Sequence, residues 1–225
     1  MSHRVVVTGM GIYSCIGTSV EAVRDALYKG KSGIIFDPER KAYGYRSALT
    51  GYVPAPQLKG VLGRRERISM GEESEYAYMA TVEALSQARI DPDFLKAQEV
   101  GILYGNDSVA ESVILTNDKI REKGDTTLVG SGAVFRTMNS TVTMNLSTLF
   151  GLRGVNMSIS AACASGSHAV GLGYLLLQSG MQEVILCGGA QETNKYSMGS
   201  FDGLGVFSTR EDTPQKASRP FDAGR

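Results

Sequence analysis

The chain has 225 residues, 42% of them hydrophobic and 20% charged, a globular mixture long enough for one large domain or two small ones. Lysine plus arginine (23) equals aspartate plus glutamate (23), so no overall field draws the chain to nucleic acid or to an anionic membrane, and any basic site must be a local patch. The three cysteines, Cys15, Cys163 and Cys187, have no framework spacing and suit a reducing cytosol, and no apolar run is long enough to span a bilayer.

The N-terminal stretch RVVVTGMG (4–11) reads as a buried strand, with β-branched residues in a row stopped by glycines and no signal-peptide pattern before them. A cytoplasmic protein is expected. Thr18-Ser-Val-Glu21 then forms a capping box for a helix running to Gly30, with Val20, Val23, Ala26 and Leu27 at helical spacing. Residues 31–60 are rich in Gly, Pro and Tyr and predict an irregular excursion with at most one short strand. A long helix is expected over 71–89, burying Tyr76, Met79, Ala80, Val82, Ala84 and Leu85.

VGILYGND (100–107) is the next buried strand, and 108–123 and 138–149 read as helices. VNMSISAA (155–162) is a strand, 164–179 a helix, and EVILCGGA (183–190) another strand. Strands alternating with helices argue for a layered α/β fold with a largely parallel sheet. The helix in ASGSHAVGLGYLLLQSG is apolar or tiny on every face. Such a helix is expected in a middle layer, covered on its far side by a second sheet or another chain.

Cys163 falls where a strand turns into a run of small residues, Ala161, Ala162, Ala164, Ser165 and Gly166. A helix N-terminus offers unpaired N–H groups and a dipole that favours negative charge, so a nucleophile and part of an oxyanion hole can come from one turn. The alternative is that Cys163 is merely a small buried residue, as most free cysteines are.

GVNMSISAACASGSHAVG (154–171) closely resembles the nucleophile segment of the β-ketoacyl-[acyl-carrier-protein] synthases, the decarboxylating condensing enzymes of fatty-acid and polyketide synthesis. RVVVTGMGIYSCIG resembles their opening strand and turn, GKSGI (30–34) the next landmark, EVILCGGAQE the strand after the nucleophile helix, and FSTREDTPQKASRPFDAGR (207–225) the stretch leading into their second half. Met138 and the wording SISAACA look more like the type I bacterial elongation synthase than type II.

The resemblance implies a thiolase-like α/β fold, with residues 1–225 as the N-terminal half of a pseudo-duplicated α-β-α-β-α architecture. It implies that Cys163 accepts the acyl group and lends its N–H to the oxyanion. Acyl-carrier protein with its phosphopantetheine-linked acyl and malonyl groups would be the partner, the assembly a homodimer, and no metal or redox cofactor is implied. Met138 and Phe201 fall where the family lines its acyl pocket and Ser108 lies in a similar region, with core packing the alternative for each. The compact basic cluster Arg64, Arg65 and Arg67 is either a docking patch for an acidic carrier protein or a solvated group answered by Glu66, Glu72 and Glu73. Lys119, Arg121 and Lys123 form a weaker cluster of the same kind.

There is also a departure. The family decarboxylates with two histidines and a lysine from its second half, whereas the histidines here are His3 and His168, neither at such a position. The chain is therefore expected to carry the nucleophile without the decarboxylation groups. The rivals are a thiolase, a non-catalytic partner subunit that shapes the pocket of an active synthase, and an inactive folding fragment. GMGIYS (9–14) imitates two glycines of a dinucleotide fingerprint, but Ser14 replaces the third and no acidic residue follows at the expected distance. Those glycines are read as turn residues, Cys187 as a buried strand residue, and Cys15 as a turn residue without a partner.

Overall fold

The computed structural model describes residues 3–224. The chain divides into two compact units, one formed by residues 1–11 and 56–192, the other by 12–55 and 193–225.

The smaller unit begins with α1 (Val20–Tyr28), β1 (Ile34–Phe36), α2 (Pro38–Tyr43) and β2 (Leu49–Gly51). The Ser19 hydroxyl, not Thr18, caps α1 by accepting from the Ala22 N–H at 3.2 Å. Val23 and Ala26 are buried, whereas Leu27 is exposed. The expected irregular excursion contains an antiparallel β1–β2 pair, with Ile35 opposite Thr50. Between these strands, Asp37 caps α2, Pro38 begins it, and Gly44 ends it in the left-handed conformation.

The larger unit contains α3 (Arg64–Arg67), α4 (Glu72–Ala88), α5 (Pro92–Ala97), β3 (Val100–Gly105), α6 (Ala110–Lys123), α7 (Ala133–Arg136), α8 (Thr141–Phe150), β4 (Asn156–Ile159), α9 (Ser165–Gln178) and β5 (Val184–Gly189). The three strands form a parallel sheet in the order β4-β3-β5. All six residues of β3 are buried, as expected of a parallel strand covered on both faces.

The strand's period of two separates the layers. Ile102 and Tyr104 join Ala77 and Tyr78 of α4 and Val142 and Leu146 of α8 in one apolar cluster. Tyr78 stacks on Phe150 across those helices at 5.6 Å. Leu103 points the other way, toward α9, where a Cβ on Gly173 would stand 3.7 Å from Leu103 Cδ1 and only 2.3 Å from Cys187 Sγ. Fully burying an aliphatic side chain contributes roughly 1.5–3 kcal/mol, so Ile102, Leu103 and Leu146 anchor these layers.

Three expectations need correction. Residues 4–11 form no strand; Val6 and Val7 are exposed, and the stretch lies on α4 instead. Cβ atoms on Gly9 and Gly11 would collide with the carbonyl oxygens of Ala84 and Ala80, so these glycines serve close approach to a helix rather than a turn. The Met10 N–H donates to Gln87 Oε1 at 2.7 Å, a bond that takes the place of a ladder contact.

Helix α4 buries Glu73, Ser74, Tyr76, Ala77, Tyr78 and Thr81, while Val82 is exposed. Its inner face is partly polar, so hydrophobic spacing misplaces it. Helix α9 buries Ser165, Ala169 and Gly173 only, and Val170, Tyr174 and Leu175 are about half exposed on its other side. The second cover expected for this helix is not provided by the larger unit.

The last stretch of the smaller unit carries α10 (Gly199–Gly203). There the buried Asp202 carboxylate accepts from the backbone N–H groups of Arg46 and Ser47 at 2.8 and 2.9 Å, holding the turn before β2. No described helix is long and apolar enough to cross a membrane.

Candidate active site

Strand β4 ends at Ile159, and the chain reverses into α9 through residues 160–164. Ala162 sits at the apex with φ +49°, a left-handed conformation that costs an L-residue roughly 1–2 kcal/mol. The buried Ser165 hydroxyl compensates by bonding both sides of the turn. It accepts from the Ala161 N–H at 2.8 Å and donates to the Ala162 carbonyl at 2.6 Å. The Ala164 and Ser165 N–H groups close the turn onto the Ala161 and Ala162 carbonyls at 3.1 and 3.0 Å.

Cys163 is exposed between these anchors, one residue before the helix cap Ala164. Ala164 has no side-chain oxygen to occupy the first-turn N–H groups. The thiol therefore stands at the positive end of a 14-residue helix, where an anion is favoured.

Glycines seat this turn at the carboxyl ends of the strands, the end where open α/β sheets bind ligands. Gly105 ends β3 and pairs in register with Gly189, which ends β5. A Cβ on Gly105 would stand 2.5 Å from Gly166 N and from Ser165 C, and one on Gly189 would stand 2.9 Å from Gly166 Cα. Only bare backbone at both strand ends lets α9 begin so close to the sheet.

The loop after β3 is held from three sides. Buried Asn106 donates its backbone N–H to the Ile159 carbonyl and its Nδ2 to the Asn139 carbonyl, each at 3.1 Å. Asn106 thereby joins the ends of β3 and β4 to the turn that carries Met138, whose own carbonyl accepts from Thr141 N at 2.9 Å. Ser108, half-buried, donates its hydroxyl to Glu192 Oε1. Glu192 is 1% exposed and also accepts from the N–H groups of Ala110 and Glu111.

Among the expected site residues, Cys163, Met138 and Ser108 belong to the larger unit, and Met138 is 41% exposed. Phe201 belongs to the smaller unit and stacks on Phe207 at 6.5 Å. The arginine cluster makes up α3, with Arg64 and Arg65 exposed. Arg67 is more committed, its Nε donating to the Leu62 carbonyl at 3.2 Å.

The expected counter-charges behave otherwise. Glu66 folds back onto the Gly63 N–H, Glu72 accepts from the Tyr76 hydroxyl, and Glu73 is buried. Desolvation pushes the Glu73 carboxyl up to about 8, so it is not a surface anion.

Cys187 lies on β5 beneath Gly173, and burial pushes its thiol up to about 11. Cys15 is half-buried in a turn, close against Gly33 and Gly51. His168 is exposed on α9. His3 lies at the other end of that helix, donating its backbone N–H to the Gln178 carbonyl. Among the described residues, no group of three or more His, Cys, Asp or Glu side chains is placed to hold a metal ion.

Asn106, Ser165 and Glu192 were not singled out from the sequence. Their local signal is a polar residue beside a buried strand or elbow; Asn106 and Glu192 meet partners far along the chain, whereas Ser165 bonds within its own turn.

The 3-oxoacyl-[acyl-carrier-protein] synthase 1 of Haemophilus influenzae is 36% identical over 225 residues, covering 99% of this chain and 55% of that protein. The Escherichia coli K12 protein of the same name is 35% identical over the same shares. A crystal structure of a β-ketoacyl synthase from Burkholderia phymatum superposes with a TM-score of 0.90 at 32% identity, covering all of this chain and 55% of that one. The ketosynthase of a type II polyketide assembly shares the fold at TM-score 0.79 and 24% identity, over 96% of this chain and 52% of that one. The chain thus spans about half the length of the relatives it matches. Residues 2–225 match the family model of the beta-ketoacyl synthase N-terminal domain, and the chain belongs to that family.

Proposed function

We propose that residues 1–225 act as the nucleophile-bearing half of a 3-oxoacyl-[acyl-carrier-protein] synthase. The observation that carries this reading is Cys163, exposed at the apex-side of a strained strand-to-helix turn and seated on glycines at the carboxyl ends of two parallel strands.

The Cys163 thiolate attacks the thioester carbonyl of an acyl-carrier protein. The tetrahedral oxyanion takes a hydrogen bond from the Cys163 N–H, the phosphopantetheine thiolate leaves, and the acyl chain remains on Sγ. Malonyl-carrier protein then loses carbon dioxide, and its carbanion attacks the bound acyl carbonyl. Cys163 leaves as thiolate, and the 3-oxoacyl product is two carbons longer. Met138 and Ser108 are proposed to line the acyl pocket. Arg64 and Arg65, with Arg67 behind them, are proposed to steer the acidic carrier protein in a cytoplasmic setting. The outer edge of β4, where Asn156 and Met157 are exposed, is the proposed contact of a homodimer.

Decarboxylation needs groups that His3 and His168 do not supply. His3 stands at the far end of α9, roughly 20 Å along the helix from Cys163 at 1.5 Å per residue. The purified chain is therefore expected to gain an acyl mass at Cys163 from acyl-carrier protein and to make no 3-oxoacyl product with malonyl-carrier protein. Acylation that persists in Cys163→Ala refutes the nucleophile assignment, and condensation by the chain alone refutes the division of labour.

A further inference from the structure

Two buried carboxyl groups, Glu73 and Glu192, have no part in the proposed chemistry. Glu192 follows β5 by three residues, as Ser108 follows β3, and the glycines that end those strands are the ones touching the start of α9. The bond from Ser108 to Glu192 therefore ties together the two loops that leave the sheet at the nucleophile end.

Glu192 also does for α6 what that helix's own sequence does not. The cap position is Val109, with no side chain to accept a hydrogen bond, and the Glu192 carboxylate takes the N–H groups of Ala110 and Glu111 instead. Three donors converge on this one buried carboxyl group.

Glu73, in the first turn of α4, is 2% exposed, and its Oε1 has no hydrogen-bond partner. Gly71 makes room for it, since a Cβ there would stand 2.7 Å from that oxygen. The charged groups bearing on Glu73 are carboxylates: Glu192 after β5, Glu72 on its own helix and Glu111 on α6. Burial comes first and this repulsion second in holding a proton on Glu73 up to about pH 8.

We propose that Glu73 and Glu192 form a buried, proton-dependent latch: neutral Glu73 lets the Glu192 carboxylate hold Ser108 and the first turn of α6, and ionised Glu73 repels Glu192 and releases them. Both residues are positioning residues. The consequence for acyl transfer rests on Cys163 being the nucleophile; the latch itself does not.

The test follows backbone amide hydrogen exchange of Ala110 and Glu111 from pH 6.5 to 9.5, each rate divided by its unstructured reference rate. In the wild type, protection is expected to fall at least tenfold across the rise through about pH 8 while the fully buried Ala169 of α9 stays protected. Glu73→Gln should hold its protection throughout, and Glu192→Gln should lack it at every pH. A flat wild-type profile, or the same fall in Glu73→Gln, overturns the latch; the flat profile does so even if a variant fails to fold.

The rate of Cys163 acylation by an acyl-carrier protein, taken as the ratio of Glu73→Gln to wild type, cancels every pH effect the two proteins share. That ratio should rise above pH 8 in step with the loss of amide protection. A constant ratio overturns the link to acyl transfer. Amide switching without acylation at any pH sinks the nucleophile reading and leaves the latch standing.

Discussion

Replacing Gly105 with alanine tests how the nucleophile turn is seated. The new Cβ would stand 2.5 Å from Gly166 N and Ser165 C and 2.8 Å from Ser165 Cβ, against an ordinary contact of at least 3.4 Å. The gap of 3.4 − 2.5 Å means that the start of α9 or the end of β3 must move by about 1 Å. The obstacles are backbone and the foot of Ser165, not the far end of a flexible side chain. Overpacking of this kind costs about 1–3 kcal/mol, and a displacement of about 1 Å at a reacting group costs roughly 100-fold in rate. Urea unfolding and the rate of Cys163 acylation read the two consequences separately. Gly171→Ala is the control on the same helix, because nothing lies within 4 Å of its added Cβ. That variant should match or exceed wild-type stability by up to about 1 kcal/mol. A Gly105→Ala protein with wild-type stability and wild-type acylation would show that α9 does not rest on β3 as described.

Stability should also depend on Glu73. Its folded-state proton affinity is raised from 4.5 to about 8, so the stabilisation is complete below the unfolded value and is lost as pH rises through about 8. That shift of 8 − 4.5 = 3.5 corresponds to about 5 kcal/mol in the limit, and urea unfolding from pH 6 to 9 should show wild type losing stability relative to Glu73→Gln. Thiol alkylation under native conditions should label Cys163 first and leave Cys187 until the chain unfolds, since Cys187 is both covered and raised to about 11; peptide mass spectrometry reads the order. Charge reversal of exposed Arg64 and Arg65 to glutamate should weaken carrier-protein binding at low salt by roughly tenfold with unchanged unfolding, the advantage shrinking as salt is added. Arg67→Ala, by contrast, removes the donor to the Leu62 carbonyl and should cost about 1 kcal/mol of stability.

The elements most legible in the sequence are those whose evidence is local. VGILYG announces a covered parallel strand because all six side chains are apolar or small, and β3 is buried throughout. Long helical spacing marks α4, and the small residues around Cys163 mark an elbow. Hydrophobic spacing failed where polar side chains face inward. Ser74, Thr81 and Glu73 turn the inner face of α4 away from the position that Val82 and Leu85 suggest. It failed also at RVVVTGMG, where β-branched residues predict a strand but pairing depends on which neighbour the backbone meets; here the glycines meet α4.

By itself the sequence determined the α/β class and the order of the main strands and helices from β3 to β5, and it marked Cys163 as the candidate nucleophile. Each of these follows from composition, period or spacing within a short window, or from motifs in order along the chain. Tertiary structure alone decided that Ser108 meets Glu192 across 84 residues, that Asn106 binds the turn beside Met138, and that Glu73 is buried beside other carboxylates. A polar residue's environment is set by partners remote in sequence, and the charge it holds depends on how much water they exclude. No local pattern records that exclusion.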